Sequence, residues 1–91
     1  SGYTALNIGR KMQKLAIGMQ VFSVTHLAPV AASADHHYLI SKIQKENATT
    51  TEIRLLEGQE RIEQLAILSS ANTSDSALKA ARELAEKAAR Q

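Results

Sequence analysis

The apolar positions of this chain follow two periodicities, and the change from one to the other divides it into elements. Ala5, Ile8, Met12, Leu15 and Met19 recur at spacings of three and four, which predicts a helix over roughly residues 3–17 with one apolar stripe. Arg10, Lys11, Gln13 and Lys14 fall mostly off that stripe. Gly18 is placed to end the helix, because glycine adopts the left-handed conformation common at helix ends, while Gly9 inside the pattern works against it. Gln20-Val21-Phe22-Ser23-Val24-Thr25 comes next, rich in β-branched and apolar residues with little alternation. A short run of that kind predicts a strand buried on both faces, as in a parallel sheet covered by helices. Residues 28–34 are alanine-rich, and Pro29 suits a first helical turn, so a short helix is expected there.

Strict alternation then takes over. In a predicted strand over 36–45, His37, Leu39, Ser41 and Ile43 share one face, and Tyr38, Ile40 and Lys42 the other. Residues 49–56 repeat the pattern, with Thr49, Thr51, Ile53 and Leu55 opposing Thr50, Glu52, Arg54 and Leu56. The polar turn Glu46-Asn47-Ala48 makes the pair a hairpin. After Gly58, helical spacing returns through Ile62, Leu65, Ala66 and Leu68, over residues 59–69. Residues 70–73 form a polar break, and Thr73, Ser74 and Asp75 are capping residues ahead of a last helix whose stripe is Ala77, Ala81, Leu84 and Ala88. The order is helix, strand, short helix, hairpin, helix, helix: an α/β chain read as one domain over residues 1–91. One parallel strand cannot form a sheet with itself. Its partners must come from the hairpin, from another chain, or from a part of the same protein outside this sequence. The opening on Ser1-Gly2, without a Met and straight into a helical pattern, favours the last of these.

Composition narrows the chemistry. There is no cysteine among the 91 residues, which removes disulfides, thiolate metal sites and cysteine nucleophiles. At 44% hydrophobic the chain has the make-up of a folded domain. No apolar run is long enough for a bilayer and no secretory signal pattern opens the chain, so the expected setting is cytoplasmic, without a membrane partner. The net charge of +2 is spread over interspersed signs, and only Arg10, Lys11 and Lys14 gather on one early helix. Direct DNA binding by those three is one reading; a solvated surface is the other.

No complete active site is visible. The Gly-rich phosphate loop ending in Lys and Ser or Thr is absent, and no carboxylate pair or hydroxyl–base pair stands out. Among the three histidines, His26 follows the predicted strand immediately, and ligands of α/β folds bind outside the carboxyl ends of strands. An imidazole there can donate a hydrogen bond to an anionic oxygen or hold a water; it can equally cap the strand on a nearby carbonyl. His36 and His37, adjacent in a strand, point to opposite faces, so no metal site is expected. Glu60, Arg61 and Glu63 open a helix, where acids suit the positive end. Arg61 can reach a neighbouring strand or a partner.

The stretch from Val24-Thr25-His26-Leu27-Ala28-Pro29-Val30-Ala31-Ala32 through Ala34-Asp35-His36-His37-Tyr38 to Ser41-Lys42 resembles the C-terminal part of the RecN family, SMC-like members of the ABC-type P-loop ATPases. Glu60-Arg61-Ile62-Glu63-Gln64-Leu65-Ala66 and the stretch from Ala77 to Leu84 are similar to the family's tail, and Ser1-Gly2 to the end of its D-loop. The chain departs at Ala28, where the family has Pro directly after Leu. It departs again over Ala66-Ile67-Leu68-Ser69-Ser70, where the family tends to have Arg after Ala and Gly after Ser. The resemblance implies the C-terminal lobe of an ATPase head acting in recombinational repair of DNA double-strand breaks, associated with the bacterial nucleoid. It implies ATP and Mg²⁺ in the intact protein, with His26 as the switch histidine near the γ-phosphate. Ser1, Gly2 and Thr25 would then lie at the ATP site and the interface between two heads that dimerise around the nucleotide. The partners implied are the remainder of the same head, a second head, and DNA through the intact protein. Without the Walker A, signature and Walker B motifs, this chain alone is expected to be inactive. The competing reading is a small non-catalytic α/β interaction module, complete as it stands.

Overall fold

Short side chains decide how the helices of this protein meet. The structure, a computed structural model describing residues 2–91, contains α1 (Gly2–Leu15), α2 (Ala28–Ala32), β1 (His37–Lys45), β2 (Ala48–Leu56), α3 (Gly58–Ser70) and α4 (Asp75–Ala89). α2 packs against α1, α3 and α4, and α3 packs against α4. The core at this junction is built from Ala28, Ala31 and Ala32 of α2, Leu65 and Ala66 of α3, and Ala77, Ala81 and Ala88 of α4. Leu56 and Leu65 are the largest side chains that are fully buried. A core of alanines removes little apolar area per residue, so its contribution depends on close approach of the backbones.

Gly9 shows how close that approach is. A Cβ built on it would lie 2.1 Å from Ser33 Oγ and 2.6 Å from Ser33 Cβ. Ser33 is buried, and its hydroxyl donates to Pro29 O at 2.8 Å. Around this contact Gln13 Nε2 donates to Ser33 O (2.9 Å) and Ala88 O (3.1 Å), and Gln91 Nε2 donates to Ser33 Oγ (3.3 Å). Lys87 Nζ stands 5.6 Å from the Tyr3 ring centroid, a second link between α4 and α1.

The helix ends differ from the expectations in two places. α1 stops at Leu15 rather than near residue 17, and Gly18 is not the terminator: it has no positive φ, and the chain leaves through tightened turns, Ile17 N to Lys14 O and Gly18 N to Leu15 O. The expected α1 stripe also shifts, with Ala5 and Gly9 buried while Ile8, Leu15 and Met19 are exposed. Gly9 draws the helix in on its own side, and the larger apolar residues beside it are left uncovered. At the other end of the chain, Ser74 caps α4 as expected, its Oγ accepting from Ala77 N at 3.3 Å. α3 closes on Ala71 at φ 59°, a left-handed conformation that favours glycine.

The hairpin is a two-stranded antiparallel ribbon in the register His37↔Leu56 to Lys45↔Ala48, closed by the two-residue turn Glu46-Asn47. One face carries Tyr38 opposite Leu55 and Ile40 opposite Ile53, and all four are exposed. The expected buried strand over 20–25 is absent: these residues have no strand pairing. No described element lies beside them to complete a ladder, because the hairpin pairs only with itself.

Gly9→Ala should destabilise the protein by about 1–3 kcal/mol through overpacking, against the helix propensity that Ala gains. Gly18→Ala, where an added Cβ meets nothing within 4 Å, should be near neutral. Denaturant titration of both variants checks the contrast; equal effects would remove the close-packing argument.

Candidate functional site

His26 owes its position to what flanks it. On its N-terminal side residues 19–24 have no strand pairing, and Ile17 at 88%, Phe22 at 82% and Val24 at 93% of full accessibility stand out in water. On its C-terminal side the backbone is fixed. Thr25 Oγ1 accepts from Leu27 N at 2.9 Å, and Leu27 O accepts from Val30 N and Ala31 N, both at 3.1 Å, which starts α2. Leu27 holds the capping position in an extended conformation, and Pro29 sits in the first turn, where its missing N–H costs nothing. His26 itself lies at a bend and is exposed. Its imidazole is therefore open to a ligand or a docking surface, not sealed in the core.

Of the other expected site residues, Gly2 begins α1 and is exposed, and Thr25 is half-buried beside His26. The structure brings Thr25 to His26 through chain adjacency alone. The expectation for Ser1 lies outside the described residues. Two surface concavities, one at the hairpin turn and one lined by Asp35, His36, Leu55, Leu56, Glu57, Gly58 and Arg61, do not include His26. Among the described residues no three His, Asp or Glu side chains gather as a set of metal ligands, and no helix is long and apolar enough to cross a membrane.

Arg61 is the residue whose role the sequence did not disclose. From α3 its Nη2 donates to Ala34 O at 2.6 Å, Ala31 O at 3.3 Å and Ala32 O at 3.4 Å, carbonyls at and just beyond the C-terminal end of α2. Its Nε is buried without a partner. Burial pulls its pKa down and the charge of Asp35 pushes back, yet a guanidinium stays protonated throughout. Nearby, His37 Nδ1 is also buried and unpartnered. On the exposed side, Arg54 of β2 pairs with Glu60 of α3, which holds the Glu60 carboxyl below its usual range.

The class that geometry defines is a mixed α/β chain whose exposed histidine follows a segment without strand pairing. Comparison with known proteins gives the particular relationship. No protein-family model matches the chain. The DNA repair protein RecN of Deinococcus radiodurans is 45% identical over 83 residues, covering 91% of this chain and 15% of that protein. RecN of Streptomyces coelicolor is 40% identical over 88 residues, and RecN of Bacillus subtilis 37% identical over 89 residues, covering 96% and 97% of this chain. The chain is homologous to the C-terminal part of RecN. It spans 15–16% of the length of these relatives.

The His37 environment sets a pH dependence. Burial first, and then the Arg61 charge, hold its imidazole below the ordinary value of about 6.5. The unfolded chain therefore takes up the proton first. Stability is full above about 6.5, where the ring is neutral in both states, and falls as pH drops through that value toward the depressed folded one. Melting temperatures should decline on acidification from about pH 7.5 to about pH 5.5, and His37→Gln should flatten part of that decline. An identical decline in the variant would remove His37 as its source.

Proposed function

We infer that the chain forms the C-terminal lobe of the ATP-binding and hydrolysing head of a RecN-like, SMC-family protein, and that the intact protein acts in recombinational repair of DNA double-strand breaks. The observation that carries this reading is the segment 20–25. It has no strand pairing, exposes Phe22 and Val24, and ends directly at His26. A segment without strand pairing leaves backbone donors and acceptors that neighbouring strands would satisfy. The sequence that supplies those strands would be the remainder of the head, the P-loop lobe included. The exposed face Tyr38, Ile40, Ile53 and Leu55 of the hairpin offers a second apolar surface toward the same neighbour. A self-contained interaction module, the competing reading, accounts for the RecN homology less well and leaves Phe22 and Val24 in water without a reason.

In that setting His26 stands at the carboxyl end of a central strand, where ligands of α/β folds bind. Phosphoryl transfer is mostly positioning and charge stabilisation, with little covalent chemistry for the protein to perform. The exposed imidazole suits such a role, because a ring N–H can donate to an oxygen of the transferring phosphoryl group or orient the attacking water. The fit to ATP and Mg²⁺ is partial here, since the chain has no glycine-rich phosphate loop of its own. Mg²⁺ bound with ATP would neutralise the developing phosphate charge. His26 would act as the switch histidine, Thr25 would fix the backbone beside it, and Ser1 and Gly2 would face the second head of a dimer closed around the nucleotide.

His26→Ala in the intact protein should reduce ATP turnover by about 10²-fold, the scale of losing one well-placed donor, while the melting temperature holds. Unchanged turnover would sink the assignment. For the strand, the 91-residue chain alone should self-associate in sedimentation velocity, and Val24→Asp should shift it toward monomer. A monodisperse wild-type monomer would favour the module instead.

A further inference from the structure

We propose that Arg61 is a positioning residue for His26, acting through α2. The proposal rests on the switch-histidine reading and adds a residue that touches neither nucleotide nor imidazole. α2 has only five residues, too few to hold a helical shape unaided, and it begins two positions after His26. Because residues 20–25 are unpaired, α2 is the firm attachment of the imidazole within this chain. What holds α2 therefore fixes where the ring can point.

Two polar anchors hold it. One is the Ser33 junction with Gly9, Gln13 and Gln91, just beyond its C-terminus. The other is Arg61, which reaches back 27 to 30 positions along the chain to place one guanidinium nitrogen against the carbonyls of Ala31, Ala32 and Ala34. Ala31 O also accepts from Ala34 N at 3.2 Å, and the carbonyls of Ala31 and Ala32, at the negative end of the helix, and of Ala34 just beyond it gain a charged donor in Arg61. A planar guanidinium satisfies them with charge and geometry together, which a lysine ammonium on a flexible stem reproduces only in part. Arg61 leaves its own Nε buried and unpartnered in doing so. Its placement thus serves the α2 carbonyls rather than its own hydrogen-bond capacity. Burial opposes the charge, while Asp35 lies close enough to favour it.

The test uses the intact RecN-type protein that carries this chain, with steady-state ATP turnover and melting temperature measured for Arg61→Gln, Arg61→Lys, His26→Ala and the double variant His26→Ala/Arg61→Gln. Displacing a catalytic group by about 1 Å can cost about 10²-fold, so Arg61→Gln should lower kcat at least about tenfold. KM for ATP should stay unchanged, and Arg61→Lys should lie between Arg61→Gln and wild type. The double variant should be no slower than His26→Ala alone, because once the imidazole is gone its placement no longer matters. Independent, multiplying losses, or a wild-type kcat in folded Arg61→Gln beside a slow His26→Ala, would overturn the proposal and leave the His26 role standing. Unchanged turnover in His26→Ala would overturn both. If Arg61→Gln does not fold, Arg61→Lys decides: a reduced kcat at constant KM supports the proposal, and a wild-type kcat defeats it.

Discussion

Five residues, Ala28–Ala32, are the point at which the three long helices meet, and the architecture depends on how tightly they can be approached. α1 comes in over Gly9 onto Ser33, α4 over Ala81 and Ala88, and α3 over Leu65 and Ala66. None of these contacts owes much to area per side chain. Dispersion between closely packed backbones and the hydrogen bonds of Ser33, Gln13, Gln91 and Arg61 together do what bulky side chains do in a more conventional core. The same short helix fixes the chain just after His26, so the packing centre and the candidate site share one element.

Local signals carried most of the secondary structure. Ser74 is a capping residue by its chemistry and caps α4; Pro29 suits a first turn and occupies one; the alternation of residues 37–45 and 48–56 matches a ribbon in continuous register. What stayed hidden was set by distance along the chain. Gly9 looked like a weakness of α1 because nothing local indicates that Ser33 will press against it. Arg61 read as one charge among three at a helix start, whereas its partners lie 27 to 30 positions earlier. Neither signal has a sequence period.

The strand is the instructive case. Residues 20–25 have the composition of a buried central strand, and composition reports the environment a segment is suited to rather than the neighbours it has. Among the described residues no strand pairs with them, so Phe22 and Val24 stand in solvent. The position of His26 was legible in the sequence as the residue after that segment. The direction of its imidazole was not, because direction depends on groups that the local pattern does not encode.

The alanine junction also limits how this sequence can vary over time. Where backbones approach this closely, an exchange among glycine, alanine and serine is the widest step that leaves the helices in place, and each larger side chain would need a compensating reduction across the contact. Residues such as Ala66, Ala81 and Ala88 are fully buried in the cluster where α2, α3 and α4 meet, so such compensation would have to arise on several segments at once. Mutational drift is thereby steered away from this centre and toward the outward faces of α4 and the ribbon, whose charged side chains are free to change.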